Sequence, residues 1–308
     1  MNPVVIRGAS REEILAAPPV LLGFHPRESV VLLLLDAGVV ACCIRVDLDW
    51  FAHDFYPVAS QLERAASQVP AAALVLIGYG ADEDGVRLAM DELLAVVGHG
   101  RRTDEFLLRD GSFLCLCGDC EEAPFQFENT GLAAQAVYEG IRIEPDRDTA
   151  VAPVLLHHPV GDEEALRALE EVAVLPERRA MRLTRELAER PGPLTAHEAL
   201  ILGTLLGDEE RQSALAQRLL GRSVGPEIGD RIWEHLAQAR AVVPDHLVGD
   251  VLGLLALGSW TTGRGAAHSC CLEQLALIDP WNPFGLFAAQ VHREATSPRT
   301  FRAGLRPR

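Results

Sequence analysis

The chain has 308 residues and a mass of 33.4 kDa, with 48% apolar and 23% charged residues. This profile is typical of a folded globular protein with room for about two domains, and it excludes a disordered or fibrous chain. The net charge is -16, from 44 acidic and 28 basic residues, so the body of the protein is not expected to bind nucleic acid by neutralising phosphates. All of the basic residues are Arg, which excludes a Schiff-base lysine and a P-loop lysine.

No segment of the sequence resembles a membrane span or an export signal. The longest aliphatic run, residues 30–35, is far shorter than the roughly 20 apolar residues that a membrane helix needs. Charged residues interrupt positions 1–13, where a secretory signal would need an apolar core. The seven cysteines include the adjacent pairs Cys42-Cys43 and Cys270-Cys271, which favours reduced thiols over disulfides. These observations predict a cytoplasmic protein.

The first half of the chain, residues 1 to about 150, alternates β-rich runs with helical patterns. This alternation predicts an α/β domain with a mixed sheet covered by helices. The predicted strands are residues 30–35, 39–48, 72–77, 106–108 and 112–117. Turn residues at 36–38 and 109–111 predict two hairpins. The predicted helices are residues 51–69, 82–97 and 130–138.

The second half has a different pattern, with helical spacing and no strand. Charged residues and three prolines between positions 143 and 161 mark the expected domain boundary. An all-α domain is predicted over residues 160–292, with helices at 162–174, 177–190, 195–206, 209–220, 226–241, 245–260, 265–278 and 283–293. Residues 254–280 are typical of a tetratricopeptide-type helical hairpin, and an ordinary helical bundle is the alternative.

The last 16 residues, 293–308, form a basic tail. They carry five Arg and one Glu, a charge of +4. Termini of this composition are commonly disordered, so disorder is the expectation here. Nucleic acid is not an expected partner except through this tail, for which contact with nucleic acid or another acidic partner is the alternative to a solvated terminus.

Four motifs in order along the chain carry a family resemblance. Residues 21–32, LLGFHPRESVVL, resemble the opening signature of an actinobacterial family known as domain-of-unknown-function family four-one-nine-two. RVDL at 45–48, DG at 110–111 and LIDP at 277–280 agree with the same family. The resemblance spans most of the chain and implies a shared fold and lineage, but no reaction. The family's doubled cysteine and following glycine are missing from residues 115–124, CLCGDCEEAP.

Arg45 and Asp47 are candidate ligand-binding residues. They lie two apart at the end of a predicted strand, so they share a face where charged groups are costly unless exposed, paired or functional. Ligand sites in α/β proteins lie at the carboxyl ends of strands, and a guanidinium beside a carboxylate can orient a polar or anionic ligand. The alternative is a structural ion pair. His25 and Arg27, just before the first strand, join this pocket if the sheet order brings them near.

Cys115, Cys117 and Cys120 place three thiols within six residues beside Gly118. This grouping predicts a zinc site only if a fourth ligand approaches in the fold, because structural zinc takes four ligands. Two thiols packed in a core, or a redox pair at Cys117 and Cys120, are the alternatives.

The turn Gly78-Tyr79-Gly80 lies between a buried strand and a predicted helix. Glycines at such a turn favour a phosphate-binding loop. Asp82, Glu83 and Asp84 follow, however, and acids at a helix start repel phosphate and stabilise the helix end.

The sequence contains no P-loop, no Gly-x-Ser-x-Gly elbow and no His-Glu-x-x-His helix. The leading hypothesis is therefore a non-catalytic binding or regulatory protein whose helical half contacts a protein partner, with Trp260, Arg264 and Trp281 as candidate contacts. The alternatives are a small-ligand-binding or enzymatic α/β domain that uses Arg45 and Asp47, and a zinc-supported fold that uses Cys115, Cys117 and Cys120.

Overall fold

The computed structural model describes residues 10–53, 55–69, 73–98, 103–109, 111–116, 118, 120–221 and 224–304. Within these ranges the protein is mixed α/β, with one six-stranded sheet and fifteen α-helices. The chain divides into two compact units between Arg147 and Asp148. This position falls inside the charged, proline-containing stretch 143–161.

The first unit is built on a mixed sheet in the order β2-β1-β3-β4-β5-β6, in which only β3 and β4 run parallel. The strands are β1 Ser29–Asp36, β2 Val39–Asp47, β3 Ala73–Tyr79, β4 Thr103–Arg109, β5 Ser112–Cys115 and β6 Ala123–Pro124. The helices are α1 Arg11–Leu22, α2 Leu48–His53, α3 Phe55–Ser67, α4 Glu83–Val97 and α5 Gly131–Tyr138.

Both faces of this sheet are buried, as the aliphatic run in β1 predicts. Alternate side chains of β1 serve two cores, because successive residues of a strand point to opposite faces. Val30 and Leu32 pack with α3 and α4, whereas Val31 and Leu33 pack with α1 and α5. The unit is therefore a three-layer α/β/α sandwich. At Gly78 the helix α4 approaches so closely that a Cβ atom would lie 2.1 Å from Val86 Cγ1.

The two predicted hairpins are confirmed. β1 and β2 pair antiparallel across a turn in which Ala37 and Gly38 adopt positive φ angles of 51° and 78°, the geometry that a tight hairpin requires. β4 and β5 also pair antiparallel, although Asp110 of their turn lies outside the described residues.

The helix predicted over residues 51–69 is confirmed for Phe55–Ser67, and Leu48–His53 is also helical. Asp54, which lies between α2 and α3, is outside the described residues. Helix α1 was not predicted, because Pro18 and Pro19 lie within it and proline usually ends a helix. Its apolar face nevertheless packs on the sheet, with Leu15 and Val20 buried.

Every described element of the second unit is helical, and the eight predicted helices are confirmed to within a residue or two at each end. They are α7 Asp162–Ala173, α8 Glu177–Glu189, α9 Ala196–Leu205, α10 Glu209–Leu220, α11 Pro226–Val242, α12 Asp245–Thr261, α13 Gly265–Ile278 and α14 Pro283–Arg293. Two more helices, α6 Arg147–Leu155 and α15 Pro298–Gly304, were not predicted.

Helix α12 is the centre of this unit. It packs against α10, α11, α13 and α14, and a continuous stretch from Val251 to Trp260 is buried. Helices that are apolar all round are buried in this way. Within the described ranges, no helix is both long and apolar enough to cross a membrane.

The basic tail was expected to be disordered, but its residues Pro298–Gly304 form helix α15. Phe301 stacks edge-on with Trp260 and Phe287, at centroid distances of 5.5 Å and 5.7 Å. Arg302 also donates a hydrogen bond to the Leu219 carbonyl at 3.0 Å. An aromatic anchor of this kind orders a segment whose charge alone predicts disorder.

Candidate functional site

Arg45 and Asp47 form an ion pair with each other at the end of the edge strand β2. The Arg45 side chain is only 11% exposed and lies over the ring of Phe24, 5.6 Å from its centroid. Because the two charges are already paired, they are not both free to orient a ligand.

The same guanidinium fixes the segment that leads into β1. Arg45 Nε donates to Ser29 Oγ at 3.2 Å, and Nη2 donates to the Arg27 carbonyl at 3.1 Å. The next carbonyl, that of Glu28, accepts from the backbone of Leu48 at 3.0 Å. The structure therefore brings Arg45 to the backbone of Arg27, and it makes Arg45 a positioning residue for residues 27–29.

His25 precedes this segment in the chain. Its ring meets Phe127 edge-on at 5.0 Å, and its backbone N–H donates to the Glu144 carbonyl at 3.0 Å. Partial burial lowers the pKa of His25, and the Arg27 charge lowers it further against the opposing effect of Glu128. These two contacts anchor His25 to residues 127 and 144.

Residues 26–28 form one wall of a cleft at the carboxyl ends of the parallel strands β3 and β4. The cleft has a volume of about 390 Å³. Its other walls come from the ends of these strands and from the β4–β5 hairpin, and its lining residues are Pro26, Arg27, Glu28, Tyr79, Gly80, Ala81, Leu108, Arg109, Gly111, Ser112 and Phe125. This is the position at which open α/β sheets bind ligands.

Arg109 on the far wall is held in a charge network. Its guanidinium pairs with Glu83 at 3.0 Å and with Glu122 at 3.7 Å. Hydrogen bonding from Arg87, together with the charges of Arg87 and Arg109, lowers the pKa of Glu83. The positive charge on this wall is therefore balanced by the protein.

The sequence pointed to this end of the sheet through Arg27, a predicted ligand-binding residue that lines the cleft, and through the glycines that flank Tyr79. Glu28, Arg109 and Phe125 carried no signal, because the strand order that joins them was not predicted.

The predicted cysteine site is described only in part, because Cys117 lies outside the described residues. Cys115 is buried in the core under α1 and α5, and the thiol of Cys120 accepts a hydrogen bond from Arg11 at 3.1 Å. Across the described ranges, no group of three or more His, Cys, Asp or Glu is placed to hold a metal ion.

Two of the candidate partner contacts in the helical unit are engaged within it. Trp260 is 8% exposed, and its indole N–H donates to the Thr296 carbonyl at 2.9 Å. Arg264 pairs with Asp230 at 3.0 Å and lies 4.2 Å from the ring centroid of Trp233. Both side chains therefore contribute to packing between helices.

Trp281 is exposed, in contrast, to 82% of its side chain. It belongs to a set of large apolar residues that face solvent around the α13–α14 turn, here called the Trp281 surface: Leu277, Ile278, Trp281 and Leu286. Prolines flank Trp281 closely, at positions 280 and 283.

Asn282 holds this turn in place. It is 3% exposed, its amide donates to the Gly249 carbonyl and to Asp279 Oδ2 at 3.1 Å each, and its oxygen accepts from the backbones of Phe284 and Gly285. The Asn282 side chain fits against α12 because residue 253 is glycine. A Cβ atom at that position would lie 2.1 Å from the Asn282 side-chain oxygen. The exposed Trp281 therefore sits on an ordered backbone.

The fold and these sites define an α/β protein with a second, helical unit. A family model described as Domain of unknown function (DUF4192) matches residues 12–299, and the chain belongs to this family. No curated protein and no solved structure matches the chain.

Proposed function

We propose that the chain is a non-catalytic binding or regulatory protein whose helical unit contacts a protein partner through the Trp281 surface. The observation that carries this proposal is a set of large apolar side chains, led by Trp281, that faces solvent on a fixed turn. Tryptophan is among the residues most enriched in the energetic centres of protein interfaces.

The fixed backbone supports the proposal, because ordering a flexible loop on binding weakens an interaction. The four hydrogen bonds of Asn282 set the turn before a partner arrives. Trp281 and Leu277 are both more than four-fifths exposed. Contacts within the unit therefore do little to offset the free-energy cost of keeping these apolar side chains in water.

The charges around the turn favour a particular chemistry in the partner. Asp279 lies within the turn, and Glu273 lies one helical turn before Leu277 on α13. Asp250 is close enough to Asp279 for that charge to act with burial in raising the pKa of Asp250. We infer a partner segment that offers apolar side chains beside Arg or Lys.

We also propose that the helical unit is a short tetratricopeptide-like array. Helices that are two apart along the chain pack against each other in the pairs α7–α9, α8–α10, α9–α11, α10–α12 and α12–α14. Neighbouring helices pack in the pairs α8–α9, α11–α12, α12–α13 and α13–α14. Stacked helical hairpins give both kinds of pair, and such arrays bind peptides.

A reducing, cytoplasmic location and an actinobacterial lineage complete the proposal. The six cysteines within the described ranges are free thiols, which suits a reducing compartment. The all-Arg set of basic residues suits a GC-rich actinobacterial genome. The charge of -16 favours a protein partner over nucleic acid.

Affinity capture with the full chain tests the proposal. Wild type and Trp281→Ala are used as baits in lysate of the source cell, with Leu169→Ala as a matched control, because Leu169 is 54% exposed on α7. We expect a protein that wild type and Leu169→Ala capture and that Trp281→Ala loses by about tenfold or more, as for a central interface residue. Equal capture by all three baits would refute the proposal.

A further inference from the structure

The cleft at the carboxyl ends of β3 and β4 carries an inference that is independent of the Trp281 surface. A volume of about 390 Å³ is in the range of small-molecule sites. A second cleft, lined by residues that include Arg167 of α7 and His197 of α9, already pairs Arg167 with Glu163 and His197 with Glu171. The cleft of the α/β unit differs because a positive and a negative side chain, next to each other on one wall, both lack partners among the described residues.

Those two charges are on Arg27 and Glu28, which are consecutive and both exposed. Among the described residues, neither side chain makes a hydrogen bond or an ion pair. Arg109 on the opposite wall is paired, in contrast, with two carboxylates of the protein. A guanidinium without a partner is suited to a carboxylate, which it can bind through two parallel hydrogen bonds.

The positions of both charges are set by the backbone beneath them. The Arg27 carbonyl is held by Arg45 and the Glu28 carbonyl by Leu48. Glu28 adopts a left-handed φ of 41°, which is uncommon for a residue with a side chain. Its carboxylate lies beside Gly80, where a Cβ atom would come within 3.3 Å of Glu28 Oε2. The left-handed backbone and the bare Gly80 together place this carboxylate at the cleft.

The remaining lining is largely apolar. Leu108 and Phe125 are partly buried at the cleft, and Tyr79 is 8% exposed beside them. The site therefore combines one free positive group, one free negative group and an apolar wall. A ligand that matches it carries an anion and a cation close together, with an apolar side chain.

We propose that this cleft binds a small zwitterion of the α-amino acid class. The ligand carboxylate pairs with Arg27, its ammonium group pairs with Glu28, and its side chain contacts Leu108 and Phe125. In this arrangement Arg45 acts on the ligand only through the backbone of residues 27 and 28.

The test is calorimetric titration of the full chain with the standard L-α-amino acids. Each is compared with the matching carboxylate that lacks the amine and the matching amine that lacks the carboxylate. We expect saturable binding of at least one amino acid, and a loss of about tenfold or more in affinity when either charged group is removed. Arg27→Gln abolishes the dependence on the carboxylate, and Glu28→Gln abolishes the dependence on the amine.

Two further variants control for folding and for charge. Arg182→Gln removes an exposed arginine of α8 that pairs with Glu186 and does not line the cleft, and it binds like wild type. Glu28→Gly removes the carboxylate where glycine suits the backbone, so it folds and loses binding as Glu28→Gln does. The inference is overturned if no amino acid binds at concentrations up to about 10 mM, or if the Arg27 and Glu28 variants bind as wild type does. Trp281→Ala leaves this binding unchanged.

Discussion

Replacing Asn282 by Ala is expected to destabilise the helical unit substantially although it removes only a few atoms. The amide lies buried against Gly249 on α12 and caps the start of α14. Loss of an N-cap side chain costs about 1 kcal/mol, and each of the two donated hydrogen bonds contributes about 1 kcal/mol. The free energy of unfolding should therefore fall by about 2–3 kcal/mol.

Urea unfolding of the full chain measures this loss, followed by tryptophan fluorescence because three of the four tryptophans lie in the helical unit. Trp281→Ala is the matched control: its side chain is 82% exposed, so stability should change by no more than about 0.5 kcal/mol. A stability for Asn282→Ala within about 0.5 kcal/mol of wild type would refute the claim that this side chain fixes the turn.

Three further predictions concern buried contacts. Arg45→Met removes the partner of Asp47 and two hydrogen bonds, to Ser29 Oγ and the Arg27 carbonyl, and should cost about 1–3 kcal/mol of stability, measured by urea unfolding. Gly78→Ala forces a Cβ atom against Val86 and should cost about 1–3 kcal/mol in the same assay. Burial lowers the pKa of His268 from 6.5 to about 4. As the pH falls, this imidazole is therefore protonated in the unfolded chain before it is protonated in the folded protein. Stability should consequently fall as the pH drops from about 6.5 to about 4.

Each of these predictions has a control or a contradicting result. Gly161→Ala is the match for Gly78→Ala, since nothing lies within 4 Å of its Cβ position; equal effects would contradict the close approach of α4. A stable Arg45→Met protein would show that residues 27–29 are held by other contacts. His268→Gln should flatten the fall in stability over the stated pH range, and an unchanged slope would assign it to other groups.

The elements that the sequence predicted best are those with an unambiguous local pattern. The aliphatic run of β1 and the turn after it define a hairpin without any tertiary information, and Gly or Pro separates the helices of the second unit. Helix α1 shows the limit of such reasoning, because packing of Leu15 and Val20 on the sheet outweighs the local effect of Pro18 and Pro19.

The candidate sites were predicted less completely, for a physical reason. Trp260 and Trp281 were both predicted to contact a partner, yet Trp260 is buried against Phe301 of the same unit, whereas Trp281 is exposed. Arg27 and Arg109 are distant in the chain, and they line one cleft only because β1, β3 and β4 are neighbours in the sheet. Burial and strand order are set by the whole fold, and local patterns do not encode them.

Site-specific photo-crosslinking tests the central claim, that Trp281 faces a protein partner. A benzophenone amino acid replaces Trp281 in the full chain, and in a second protein it replaces Leu169, the exposed control on α7. After irradiation in the source cell, we predict a discrete adduct from position 281 that is absent from position 169, attached to a partner segment rich in apolar and basic residues. No adduct at position 281, or the same adducts from both positions, would contradict the account.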